Sequence, residues 1–187
     1  MKDFIQHFNQ YINISSELEN QLTRRISCKI FKKGEIIHHA NEVCVKSYFI
    51  KKGLLRLYFV KNGKEISDYF CSENEWVNSP RSFMFREPDV YFIDALEDTT
   101  TFELKIDDLI YLFDNFPEME RYARLSMNSL LYQVIERVNS LRFTTAKEKY
   151  DHFRRTYQNI HPRIPLGMTA SYLGITQETL SRIRRQR

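Results

Sequence analysis

Apolar side chains at Phe4, Ile5, Phe8, Tyr11 and Ile12 keep to one face of a 3.6-residue period, which predicts a helix over Asp3–Ile14. A second helix is expected from Ser16, with Glu19 completing a capping box and Leu18 and Leu22 facing inward. From Cys28 the period changes. CKIFKKGEIIHH, KSYFIKKGLLRLYFV and KEISDYF read as short strands rich in β-branched and aromatic residues, broken at Gly34, Gly53 and Asn62-Gly63. Asn-Gly between two apolar runs is a hairpin signal. Val90–Leu96 and Thr100–Ile106 add two more strands, and the set predicts a small antiparallel sandwich or barrel.

Leu109–Phe113 predicts a short helix that stops before Phe116-Pro117, and Pro117 opens a long one ending near Phe143. On it Met127, Leu131, Val134, Val138 and Leu141 are spaced four-three-four-three, the seam of a coiled coil. Tyr122, Leu125, Leu130 and Ile135 lie off that stripe and are expected to serve the sheet, leaving the seam for a second copy; a helix packed wholly within its own chain is the alternative. Thr144 and Thr145 restart a helix over AKEKYDHFRRTY, and Pro162–Pro165 connects it to the last stretch, PLGMTASYLGITQETLSRIRRQR.

That last stretch reads as two helices and a tight turn. Pro165 suits the first helical turn, Ala170 is small where a second helix must cross, and Gly174 can take the left-handed backbone that ends the first helix. Thr176 is an N-cap for the helix from Gln177, and Leu173, Ile175, Leu180 and Ile183 supply a seam between the two. This is the helix-turn-helix pattern, in which the second helix enters the major groove. Gln177, Glu178, Thr179, Ser181, Arg182, Arg184 and Arg185 on that helix can meet base edges and phosphates. The same residues also suit an amphipathic hairpin with a solvated basic face.

Composition sharpens the reading at the terminus. Residues 144–187 carry nine Lys/Arg against three Asp/Glu, about +6, while residues 1–143 carry nineteen against twenty-one, about −2. A slightly acidic body with a basic tail unit fits a polyanion reached by one end. Hydrophobic content of 42% with five Gly and five Pro supports a packed core rather than low-complexity disorder. Cys28, Cys44 and Cys71 are widely spaced with no CxxC, which disfavours a disulfide framework or an all-Cys metal site and predicts reduced thiols packed as small hydrophobes. His38 and His39 alternate across a predicted strand and cannot chelate one ion together, so no metal site is expected. No signal peptide or membrane span is expected, which makes a soluble cytoplasmic protein the default. No phosphate loop, nucleophile elbow or His-Glu-x-x-His motif argues for an enzyme.

The order of FKKGEII, YFIKKGLLRLYFVKNGKE, the long helix running into VNSLRFTTAKEKY, and SYLGITQETLSRI resembles the Crp/Fnr family of bacterial transcription regulators over nearly the whole chain. The resemblance implies an α+β fold: a cyclic-nucleotide-binding-like β-roll with N-terminal helices at 1–116, a dimerisation helix at 117–143 and a helix-turn-helix domain at 144–187. It implies a homodimer on palindromic double-stranded DNA, with RNA polymerase as a further partner. Thr176 and Thr179 match positions that contact phosphate, and Gln177, Glu178 and Arg182 match those that reach bases. Family members often carry Arg where Gln177 stands, and an apolar residue where Thr169 stands. The sequence ends at Arg187 without the β-hairpin wing usual after this helix; Arg184, Arg185 and Arg187 are expected to offset its phosphate contacts.

The family's cyclic-nucleotide binders use a Gly-Glu pair and, ten residues after the Glu, an Arg that neutralises the phosphate. Aligned to that pattern, FCSENEWVNSPRSFMFREPDVYFIDAL places Asn78-Ser79 at Gly-Glu and Asp89 at the Arg. Cyclic AMP is therefore not expected to bind in the family's way, no cofactor is expected, and any effector is unidentified. Arg81 or Arg86 could supply charge from a shifted loop, and Trp76 is expected beside the pocket. A reading from another class is a β-roll ligand-binding or protein-interaction module whose terminal hairpin does not bind DNA. Sequence names neither effector, operator nor sign of regulation.

Overall fold

A computed structural model describes residues 2–186. Two four-stranded antiparallel sheets form the roll. One has the order β1 (Ser27–Phe31), β8 (Thr99–Lys105), β3 (Lys46–Lys52), β6 (Trp76–Val77). The other runs β2 (Ile36–His38), β7 (Tyr91–Ala95), β4 (Leu55–Lys61), β5 (Lys64–Cys71). Alternation along each strand assigns every second side chain to one of two cores. On β3, Tyr48 and Ile50 enter the roll with Leu55, Leu57, Ile93 and Ala95. Phe49, between them, faces outward with Phe102 and Leu104. Asn62 and Gly63 both have positive φ, 52° and 72°, which makes the β4–β5 connection the tight hairpin turn the dipeptide predicts.

The outward core of the first sheet is covered by helices. Phe4 and Phe8 of α1 (Lys2–Asn9), Leu18 and Leu22 of α2 (Ser16–Arg25), Leu112 of α4 (Ile106–Asn115), and Met119 and Tyr122 of α5 (Pro117–Phe143) meet there. The first helix stops at Asn9, short of the expected Ile14; Tyr11 and Ile12 follow in a turn, with the Ile12 amide still donating to Phe8 O at 3.0 Å. The second is capped one residue early: Ser15 Oγ accepts the Leu18 amide at 3.2 Å and donates to Glu118 Oε1 at 2.7 Å, so Glu19 closes no box. A fully formed capping box appears instead at Thr145–Glu148, opening α6 (Ala146–Thr156).

The second sheet is covered on its outer face by the C-terminal unit. Leu54 and Phe70 share a core with Tyr150, Phe153, Tyr157, Tyr172, Leu180 and Ile183. That core joins the roll to α6, α7 (Leu166–Leu173) and α8 (Gln177–Arg185). Of the cysteines, Cys44 and Cys71 are buried as expected, but Cys28 is exposed, on a strand whose first four residues all face solvent. The sequence pattern passed over α3 (Pro80–Phe85) and the two-residue β6, both too short to carry a period.

Candidate nucleic-acid interface

The terminal unit folds as its local chemistry dictates. Gly174 has φ 65° and closes the first helix, with the Ile175 amide reaching back to Ala170 O at 3.1 Å. Pro165 stands one place earlier than expected, as the N-cap of α7 rather than inside its first turn. Thr176 Oγ1 accepts the Thr179 amide at 3.1 Å and donates to Thr179 Oγ1 at 3.0 Å. That cap leaves the hydrogen of the Thr179 hydroxyl for an outside acceptor. Leu180 and Ile183 are buried against Ala170 and Leu173, with Ile175 half-buried beside them. The opposite side of α8 is in solvent: Gln177, Glu178, Arg182, Arg184 and Arg185 are exposed, and Thr179 and Ser181 are half-buried. Arg187 lies outside the described residues. Thr169 is buried, and its hydroxyl donates to Pro165 O at 3.3 Å, which explains how a polar residue is tolerated there.

Sequence reasoning passed over Gly167. The Gln177 side chain lies over it, and a Cβ at 167 would sit 2.8 Å from Gln177 Nε2. One residue of the candidate reading face is thus steered by a glycine ten positions earlier.

Three polar links mount this unit on the roll. The Ser171 hydroxyl on α7 donates to Glu65 O at 2.9 Å and accepts the Ser67 amide at 3.0 Å, plugging the edge of β5. Arg163, in the turn before α7, bonds Glu73 through two nitrogens at 3.0 and 3.1 Å and also holds Glu97. Burial raises the Glu73 carboxyl, but Arg163 and the Gly53 amide bring it net below its usual range. The third link starts at a β-bulge. The register steps from Leu57↔Tyr69 to Tyr58↔Ser67, so Asp68 has no partner in β4. Its carboxylate accepts Arg137 Nη1 from α5 at 2.8 Å and the Tyr91 hydroxyl at 3.2 Å. The same guanidinium lies 4.3 Å over the Tyr172 ring. None of Arg137, Arg163, Asp68 or Ser171 carries a sequence signal, because each matters only through residues distant in the chain.

On α5 the predicted seam is open. Met127, Leu131, Val134 and Val138 are 54%, 58%, 46% and 43% exposed, with Leu141 half-buried. Tyr122 serves the core, and Leu125 is half-buried. Leu130 and Ile135 do not pack on the sheet as expected: both are exposed and widen the apolar stripe. The cause is that the roll grips only the face carrying Gln133 and Arg137. Gln133 Oε1 accepts the Tyr69 hydroxyl there at 3.0 Å.

The cassette around α3 is filled from within. Ser79, the N-cap residue, is fully buried and donates through Oγ to Asp89 Oδ2 at 2.5 Å. The Ser82 amide donates to the same oxygen at 3.1 Å, and the Tyr91 amide to Asp89 Oδ1 at 3.0 Å. Ser79 and Asp89 are thus brought together, but onto each other rather than around a cavity. Asn78 turns aside to the Ser47 hydroxyl at 3.3 Å. Arg81 and Arg86 do not converge on the cassette; they pair in solvent with Glu87 and Asp107, at 3.5 and 2.6 Å. Trp76 is not beside a pocket either. It packs on Phe4 and Phe49 and donates from Nε1 to the Tyr122 hydroxyl at 2.9 Å, which also bonds His7 Nε2 at 2.7 Å. Burial holds His7 below its usual value. A groove of about 500 Å³ lies elsewhere, at the α4–α5 joint, lined by Phe113, Pro117, Glu120 and Arg124. Among the described residues, no three His, Cys, Asp or Glu side chains gather to hold a metal ion, and no helix is long and apolar enough to cross a membrane.

Residues 28–116 match the cyclic nucleotide-binding domain family. No curated protein sequence matches the chain. Among solved structures, FixK2 from Bradyrhizobium japonicum aligns with a TM-score of 0.73 at 18% identity, over 86% of this chain and 83% of that one. A mutant of CooA from Carboxydothermus hydrogenoformans gives 0.71 at 19% identity, over 93% and 79%. A protein from Eubacterium rectale, described as a transcriptional regulator of the crp/fnr family, gives 0.71 at 19%, over 92% and 83%.

Proposed function

We propose, for a chain that carries a cyclic nucleotide-binding domain at residues 28–116 and has the fold of the Crp/Fnr regulators, that it works as a homodimeric, sequence-specific DNA-binding regulator. The observation that carries the reading is the division of α8. Its apolar side is spent inside the C-terminal core, while its outer side offers a bidentate amide, a carboxylate and three guanidinium groups to solvent. Those are the groups that read base edges and neutralise phosphates. Residues of the long helix supply the second element. An exposed stripe of Met127, Leu131, Val134 and Val138 at heptad spacing suits a parallel partner helix, and a two-fold axis there makes the target a palindrome with half-sites about one helical turn apart.

Control by cyclic AMP is not part of this reading. A ligand phosphate would need the donors that Asp89 already holds, and it would meet a carboxylate where the family's binders place a guanidinium. Either another effector acts on the roll or the roll supports the dimer without one.

Selection of binding sites from random duplexes tests the proposal. A recovered palindrome is expected, and Arg182→Ala should lose about 1–3 kcal/mol and relax one base position in each half-site. Recovery of no shared sequence would overturn it, and would leave the alternative of a roll-based interaction module.

A further inference from the structure

The C-terminal unit lies along β5 in a definite direction. Arg163, just before α7, is held by Glu73 beyond the far end of that strand, and Ser171, near the end of α7, by Glu65 and Ser67 at its start. The chain from 163 to 171 therefore runs toward the β4–β5 hairpin. Continued in that direction, past Ser171, the turn at 174–176 delivers α8 toward the end of the roll where the hairpin tip lies.

That tip is basic. Lys61 and Lys64 face each other across the Asn62-Gly63 turn as a directly opposed pair, and both are exposed. Like charges directly opposed weaken a hairpin unless an anion relieves them. The nearby carboxylate does not: Glu65 is engaged by the buried Arg56, at 2.9 Å. Among the described residues, neither lysine has an ion-pair partner. The tight turn and the Ser171 plug fix the tip in place, so the two charges are presented rather than left to wander.

We infer that the β4–β5 hairpin is a second DNA-contacting element, in which Lys61 and Lys64 bind backbone phosphates adjoining those reached from Thr176 and α8. The inference rests on the proposed DNA-binding function and extends it from the terminal unit to the roll. An ammonium group on a long stem neutralises phosphate without reading sequence, so the hairpin adds affinity and fixes the approach of the helix, while base choice stays with Gln177, Glu178 and Arg182. It also gives the roll a direct hold on DNA.

The experiment measures affinity for the selected palindrome as a function of salt, using the wild-type chain, Lys61→Gln/Lys64→Gln and Lys61→Arg/Lys64→Arg. Removing one lysine–phosphate pair makes the slope of log K against log salt shallower by about 0.9, so a dimer deprived of four such pairs should change by about 3.6. The arginine pair should restore the slope, and the recovered sequence should be the same for all three. Unchanged circular dichroism and unchanged dimerisation would exclude a folding effect at these exposed positions. A glutamine variant with the wild-type slope would overturn the inference while leaving the DNA-binding function standing. A wild type that selects no sequence would overturn both, and that arm is read before any variant is made.

Discussion

Phe70 is a strand residue of the roll whose ring is fully buried in the core of the C-terminal helical unit. It lies 5.7 Å from the ring of Tyr157 on the α6 side and 5.7 Å from that of Tyr172 on α7, with Phe153 at 6.3 Å. Truncating it in Phe70→Ala removes the anchor between the two parts and leaves a cavity that three packed aromatic rings cannot easily close. Changes of this kind cost about 3–5 kcal/mol. Set against a total of about 5–15 kcal/mol, that loss is a large fraction of the protein's stability. For a chain of this size the melting midpoint should fall by roughly 6–20 °C, at about 2–4 °C per kcal/mol. The informative part is which probe moves. Trp76, the single tryptophan, sits in the other core, between α1 and α5, and far-UV circular dichroism follows all the helices. If Phe70 ties the two parts into one cooperative body, both signals should shift together in the variant. Phe85→Ala, at a ring that is 64% exposed, serves as the control and should stay within about 0.5 kcal/mol of wild type. Ellipticity melting early while Trp76 melts at the wild-type temperature would refute the reasoning and show two separately folding parts.

Val134→Glu puts a carboxylate at the middle of the exposed stripe, where a partner helix would bury it unpaired; sedimentation should report monomers, and a wild type already monomeric at micromolar concentration would contradict the proposed dimer. Asp89→Ala leaves the buried Ser82 amide and Ser79 hydroxyl without their acceptor, at about 1–3 kcal/mol for each group, so chemical denaturation should place it several kcal/mol below wild type. Calorimetric titration of wild type with cyclic AMP should show no heat, and saturable micromolar binding would contradict the self-filled cassette. Burial holds both His7 and His38 below their usual value near 6.5, so the unfolded chain takes up more protons beneath that value. Their contribution is therefore intact above pH 6.5 and lost as pH falls through the lowered folded values. Urea midpoints should drop between pH 7.5 and 5.5, and His7→Gln should flatten part of that slope.

What was legible in the sequence is what local chemistry decides. Asn62-Gly63, Gly174, Thr176 and Pro117 each act on their own backbone or on residues three or four away, and each stands where it was expected. The seam on α5 was legible because its spacing is a property of one helix. Which further residues join it was not: assigning Leu130 and Ile135 to the sheet required knowing where the sheet lies, and Arg137 and Gln133 set that. Trp76 was misplaced for the same reason, since Tyr122, 46 residues away, decides its direction. The alignment set Ser79 and Asp89 in one cassette, and the structure brings the two side chains together. The alignment had no means of showing that a carboxylate ten residues downstream would turn back and satisfy the turn itself.

The glycine at 167 has a consequence for how such a protein diversifies. Most of the outer side of α8 is exposed and untied to the fold, so Glu178, Arg182, Arg184 and Arg185 can be exchanged with little cost to folding. Position 177 is different, because its side chain shares space with residue 167. A longer residue at 177 can use that space only while 167 stays bare, and any side chain at 167 would push residue 177 outward. The constraint runs one way: with Gly at 167 the residue at 177 can be exchanged alone, whereas a side chain gained at 167 must be met by a shift or a change at 177.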